Sequence, residues 1–141
     1  LACHRLPICR QEYLGRLSGP LLDRFDLRVN VPPVPLFEMM GGEKGEASTD
    51  IAARVGAARE VQMARQNCLN AHLDGEALYQ HGAPDSAGQS LLDRIADTKK
   101  LSARGFNRIL RVARTLADLD HRDSPNAENI ATAIRWRDVA L

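Results

Sequence analysis

The stretch LSARGFNRILRVARTLADLD, residues 101–120, decides how this chain is read. Phe106, Ile109, Leu110, Ala113, Leu116 and Ala117 recur at the three- and four-residue spacing of one helical face. Ser102 stands where a hydroxyl can accept one of the first unbonded N–H groups. The spacing predicts a capped helix with a continuous apolar stripe, and a stripe of that length needs other helices to cover it.

Working outward, Ser124 followed by Pro125 carries the signature of an N-cap with proline at the first helical position. A helix is expected from there through Ile130, Ala133 and Ile134, past Trp136, which reads as a core or edge filler. Upstream, Leu91, Leu92 and Ile95 give a second inward face over residues 86–98. Gly75 and the HGAPD run at 81–85 bracket what reads as a short irregular segment around 76–80. Before that, Ser48 or Thr49 can cap a helix running to about Asn70, with Ile51, Val55, Ala58, Gln62, Arg65 and Leu69 on a partly apolar face. The expected fold is mainly α, a four-helix domain over residues 49–141. Residues 36–48, LFEMMGGEKGEAS, hold three glycines and no sustained period, and read as a flexible linker.

Residues 1–35 behave differently. Phe25, Leu27, Val29 and Val31 alternate with Asp26, Arg28 and Asn30, the period of a half-buried strand, which Pro32, Pro33 and Pro35 end. A single strand has no partner for its backbone donors and acceptors. The segment therefore reads as a remnant strand of a larger α/β core, expected to be disordered by itself.

Bulk properties narrow the function classes. Lysine and arginine total 19 against 18 acids, so the molecule as a whole has no electrostatic preference for nucleic acid or membrane. No run of about 18 apolar residues occurs, which makes a soluble, cytoplasmic protein the expectation. Leu1 is not a start methionine and there is no GxxxxGKS/T phosphate loop, so the chain reads as a fragment. Cys3, His4 and Cys9 lie close together, but a structural zinc site takes four protein ligands, and free thiols are the favoured reading; no metal site is assigned. His72, His81 and His121 are scattered, and no self-contained active site can be built.

The arginines carry what chemistry there is. Arg104 falls in the first turn after the Ser102 cap, where the helix macrodipole disfavours a cation by about 0.3–1 kcal/mol. A solvated side chain can bear that cost; a bound phosphate gripped by the guanidinium and the helix N–H groups would remove it. Arg108 and Arg111 continue along the face opposite the stripe and read as its wet side. The helical part holds thirteen cations against twelve acids and almost no aromatics, which argues against direct nucleic-acid contact. Arg24 is set in the run LLDRFD, residues 21–26, between two apolar pairs and beside Asp23 and Asp26, where an ordinary junction would need no arginine.

The run YLGRLSGPLLDRFDLRVNVPPV, residues 13–34, resembles the late part of the AAA+ module in magnesium-chelatase-like ATPases, particularly the ComM (YifB) branch. GEASTDIAARVGAAREVQMARQNCLNAHL, residues 45–73, is similar to that branch's linker and first lid helix, with its RQN triplet at 65–67. LSARGFNRILRVARTLADLD is similar to its second-sensor helix, and ENIATAIRWR, residues 128–137, to its closing helix. The motifs cover nearly the whole chain in the family's order. Paired cysteines frequent in relatives before the tyrosine are not matched here, where Arg5 stands two positions after Cys3.

By this resemblance residues 1–35 are the end of the AAA+ α/β core, 36–48 the linker and 49–141 the helical lid. Arg24 is then the arginine finger, acting in trans on a neighbour's nucleotide. Arg104 is the second-sensor arginine at the terminal phosphate, with Ser102 capping the helix beside it. The parent would be an ATP hydrolase using ATP and Mg2+, working as a homo-oligomeric ring against its own N-terminal ATPase core and neighbouring subunits, with branched DNA in recombination as substrate and no membrane partner. This fragment, without phosphate loop and magnesium-binding acids, is expected neither to hydrolyse ATP nor to bind it tightly. The alternatives are the motor subunit of a magnesium chelatase, against which the GEAS and RQN motifs speak, and a non-catalytic helical adaptor.

Overall fold

The computed structural model of the chain describes residues 8, 12, 15, 21, 24–42, 45–99 and 101–137. Its helices, in chain order, are α1 (Leu36–Gly41), α2 (Ser48–Gln66), α3 (Gly75–Gly82), α4 (Ser86–Lys99), α5 (Ala103–Leu119) and α6 (Ala127–Arg137), with a 3-10 turn at Asn70–His72 between α2 and α3. The described residues contain no strand. The chain is mainly α, as its periodicities predict. Cys3, His4 and Cys9 lie outside the described residues.

The helix built on the opening stretch is the hub. α5 packs against α2, α3, α6 and the 3-10 turn, while α4 reaches the assembly by packing on α6. Ile109, Leu110, Ala113 and Ala117 are buried on its apolar face. The first three meet Leu73, Leu78, Leu92, Ile130, Ala133 and Ile134 in one core, with Phe106 and Leu116 packed at its edge. Each fully buried Leu or Ile contributes about 1.5–3 kcal/mol relative to an exposed one, so this cluster dominates the bundle's stability.

Turns and caps fix the order of elements. Ser102 Oγ accepts from the Gly105 N–H at 3.1 Å and starts α5. Asp85 Oδ1 accepts from the Gly88 N–H at 2.7 Å and starts α4, while the Asp85 N–H donates to the Pro125 carbonyl at 2.9 Å. This last bond ties the start of α4 to the turn before α6. The approach is close enough to demand a glycine: a Cβ on Gly88 would lie 2.9 Å from Pro84 Cβ and 3.0 Å from the Pro125 oxygen.

Several expectations are corrected. Residues 75–82 form a helix instead of an irregular segment, so five helices rather than four span residues 48–137. Leu78 is fully buried there and one apolar anchor suffices, which is why no periodicity marks it. The supposed linker contains α1, too short at six residues to show a period. α2 begins after Ala47 without a side-chain cap and ends at Gln66, where Asn67 turns left-handed at φ 55°. Ile51 and Val55 are exposed, and Ala58 and Gln62 carry the buried face of α2. α6 starts two residues later than the Ser-Pro pair suggests, because Asn126 and Asn129 cap each other reciprocally: each side-chain oxygen accepts the other's backbone N–H, at 2.9 and 3.1 Å. In keeping with the expectation that a lone strand cannot form by itself, residues 25–31 form no strand, and Phe25, Leu27, Val29 and Val31 are exposed.

The polar side of α5 hides a buried charged cluster. Asp118, 2% exposed, accepts from Arg65 Nη1 at 2.6 Å, Arg114 Nη2 at 2.7 Å and Asn70 Nδ2 at 2.7 Å. Arg114, 1% exposed, also donates to the carbonyls of Arg122 and Asp123, both at 2.6 Å. One carboxylate thus joins the end of α2 and the 3-10 turn to α5, and one guanidinium joins α5 to the turn that follows it. Burial pushes the Asp118 carboxyl up, but the hydrogen bonds from Arg65, Asn70 and Arg114 outweigh it and hold the group below its ordinary value. Burial likewise pushes Arg114 down from its ordinary value, against the opposing hydrogen bond to Asp118.

Candidate functional site

The start of α5 is built to expose a cation. Ser102 satisfies the Gly105 N–H, and between them Arg104 projects to solvent, with no hydrogen bond or ion pair to any described side chain. A third group closes in from α6. A Cβ on Gly105 would lie 3.1 Å from Arg137 Nη2 and 3.3 Å from Ser102 Oγ, so the guanidinium of Arg137 packs directly over the Gly105 backbone. Arg137 is in the last turn of α6, where a cation complements the negative helix end. The outcome is two guanidinium groups associated with the positive end of a seventeen-residue helix. Such a place favours an anion, because guanidinium and free helix N–H groups act on the same charge.

The arginine row along α5 divides after Arg104. Arg108 and Arg111 are half-buried rather than on a wet face. Arg111 Nε donates to the Leu73 carbonyl at 2.5 Å. Arg108 Nη1 lies 3.0 Å from Asp26 Oδ1, an ion pair reaching from α5 into the LLDRFD motif. The pair is not an aligned hydrogen bond, and the buried Arg108 Nε has no hydrogen-bond acceptor among the described residues.

Arg24 stands on a turn, its N–H donating to the Leu21 carbonyl at 2.9 Å, and its side chain is exposed. Two residues on, Asp26 meets Arg108; two further, the Arg28 N–H donates to the Trp136 carbonyl at 2.8 Å. Between these anchors the segment edges a mostly apolar groove of about 330 Å³, lined by Leu27, Val112, Leu116, Leu119 and Trp136 among others. Trp136 is therefore at the junction of the segment and the bundle, a groove-edge position. The structure brings Ser102 and Arg104 into one helical turn and links the Arg24 segment to the same helix through Arg108. Sequence reasoning missed Asp26, Arg108 and Arg137. The glycine in SARGF was the one available signal for Arg137, since a glycine next to a cap invites a close neighbour.

No group of three or more His, Cys, Asp or Glu side chains among the described residues could hold a metal ion. None of the described helices is long and apolar enough to cross a membrane.

Residues 45–137 match the family model described as magnesium chelatase, subunit ChlI C-terminal, and residues 1–39 match that described as magnesium chelatase, subunit ChlI. The YifB protein of Escherichia coli is 41% identical over 129 residues, which is 91% of this chain and 26% of that protein. The competence protein ComM of Haemophilus influenzae is 36% identical over 127 residues, 89% of this chain and 25% of ComM. A Mycobacterium tuberculosis protein is 39% identical over 132 residues, with 91% and 26% covered. The chain thus spans about a quarter of the length of these relatives. With a single family model taking in the whole helical bundle, the chain belongs to the magnesium chelatase family, by its subunit ChlI C-terminal region.

Proposed function

We propose that the chain is the finger- and lid-bearing part of a ComM-type, ATP-hydrolysing ring motor that acts on branched DNA in the cytoplasm. In this reading residues 1–35 close the ATPase core, 36–48 link it to the lid, and 49–141 form the lid. The observation that carries it is Arg104, a cation exposed and without a partner among the described residues at the start of α5, where the macrodipole already disfavours positive charge. An anion explains that placement, and the terminal phosphate of ATP is the anion the family resemblance implies. Arg104 binds it from the lid, and Ser102 holds the turn in place. Arg24, exposed on its own turn, serves the nucleotide of the neighbouring subunit. ATP supplies the phosphoryl group, and positioning with charge neutralisation is what the protein contributes. Mg2+ is expected with the nucleotide, as the family resemblance implies, and no residue of this chain is assigned to it. The similarity to a competence protein favours DNA as the substrate; the family's description favours, as second reading, a motor for porphyrin metalation.

The test is made in the full-length ATPase. Arg24→Ala is expected to remove most turnover while nucleotide binding stays nearly intact, because a finger acts on charge that develops in the transition state. Arg104→Ala should weaken both. Mixing Arg24→Ala subunits with subunits disabled in the phosphate loop should restore turnover where an intact finger faces an intact pocket. Failure of co-assembled mixtures to recover any turnover refutes the action in trans. Branch-migration assays decide between the DNA and porphyrin readings.

A further inference from the structure

We propose that the Asp26–Arg108 ion pair is a strut through which the lid positions the finger, with Arg108 a positioning residue for Arg24; this rests on the reading of Arg24 and Arg104 above. Arg108 follows Arg104 by one helical turn on α5, so both cations move with the same rigid element. Its side chain is only 16% exposed, its Nε lacks an acceptor, and Asp26 Oδ1 at 3.0 Å supplies the compensating charge. A guanidinium so far removed from water strongly resists losing its carboxylate. Asp26 in turn is two residues from Arg24. The Arg28 N–H on the Trp136 carbonyl makes a second anchor, and Leu27 rests at the apolar groove between the two. The backbone that carries Arg24 is thereby held to α5 and α6 at points on its C-terminal side.

The consequence is directional. A lid that settles on its own subunit's phosphate through Arg104 carries α5, and α5 carries Asp26. The finger offered to the next subunit is then set by the nucleotide state of the subunit that owns it. Arg108 touches no phosphate in this scheme. It fixes where Arg24 starts from.

The experiment combines a binding-free readout with kinetics. Trp136 is the sole tryptophan of the 141-residue chain and edges the groove beside Asp26 and Leu27, so its emission and its quenching by iodide report whether the segment is docked. Asp26→Asn, Asp26→Arg and Arg108→Glu should each increase quenching and shift emission to the red. The double exchange Asp26→Arg with Arg108→Glu should return both toward the original values, and high salt should weaken the original contact because Asp26 is 57% exposed. In the full-length ATPase, Asp26→Asn and Arg108→Glu should lower kcat by about threefold to thirtyfold with KM for ATP nearly unchanged, and the double exchange should recover most of the loss. A merely structural role would lower the urea-unfolding midpoint along with kcat in the single variants, whereas a positioning role lowers kcat with the midpoint and KM nearly unchanged. Rescue by the exchanged charges shows that the pair itself is responsible.

Arg24→Ala is the control that separates the two ideas. If Arg24→Ala retains full turnover, the finger assignment fails whatever the Asp26 variants do. If Arg24→Ala loses turnover but reversing either charge leaves kcat unchanged, or the double exchange restores docking without restoring kcat, the strut is overturned while the finger stands. Unchanged Trp136 quenching in all single variants overturns it too.

Discussion

The two ends of α5 treat the same side chain in opposite ways. Near its C-terminus Arg114 is 1% exposed and saturated with acceptors: Asp118 and two backbone carbonyls. In its first turn Arg104 is exposed and has none among the described residues. A buried guanidinium without partners would be intolerably costly, so Arg114 exists in this fold only together with its acceptors. Arg104 is engaged by none of the described side chains. An arginine engaged by its own protein is explained by stability, whereas one that the described residues leave unengaged at an unfavourable helix end is not, and that difference is what the proposal of a phosphate there rests on.

That contrast can be broken by substitutions in the 141-residue chain, read by urea unfolding. The largest effect is expected from Asp118→Ala, which leaves Arg65 and Arg114 without their shared carboxylate. It should cost about 3–5 kcal/mol, comparable to a marginal domain's whole stability. A loss below about 1 kcal/mol would show that the buried cluster is incidental. Acid sharpens the same point. The folded-state pKa of Asp118 is depressed, so its contribution is fully present above the unfolded value of about 3.9 and disappears as pH falls through the lower folded value. Unfolding midpoints measured from pH 5 downward should fall less steeply in Asp118→Asn than in the original chain.

At the other end of α5 the effects shrink. Ser102→Ala removes the acceptor for the Gly105 N–H and should cost about 1 kcal/mol, the ordinary worth of a cap. Arg104→Ala should change stability by less than about 0.5 kcal/mol in either direction. It should even be slightly favourable at low salt, since a cation leaves the positive helix end. A destabilisation above about 1 kcal/mol would make Arg104 a structural residue and remove the main support for a phosphate there.

How much of this was legible depended on how local the cause was. The stripe of α5 and its Ser102 cap were readable because period and cap both lie within a few residues. α3 was not, since a two-turn helix anchored by Leu78 alone has no period to detect. The start of α6 was misplaced because two asparagines three apart outcompeted a Ser-Pro pair, and Pro125 was already engaged through its carbonyl by Asp85. The fates of Arg108 and Arg114 were least legible. From the sequence Arg108 looks like a member of a solvated row and Arg114 carries no signal at all, and partners away from their own turns, Asp26 for one and the carbonyls beyond α5 for the other, decide where they sit. Arg24 and Arg104 stood out by their placement in the sequence, their roles came only from the resemblance, and their exposure is a fact of the fold.

The hold of Arg114 on the α5–α6 corner has a consequence for how that corner can change over time. The guanidinium grips the carbonyls of Arg122 and Asp123, and every amino acid has a carbonyl. The side chains of both residues are exposed and take no hydrogen bond from the guanidinium, although the Asp123 carboxylate adds a favourable charge beside it. Substitutions at 122, and at 123 where the negative charge is kept, therefore leave the hydrogen bonds that shape the turn unchanged. The lettering of the corner is free to drift while its geometry stays fixed, and the memory of that geometry is stored in a residue two turns back along the helix.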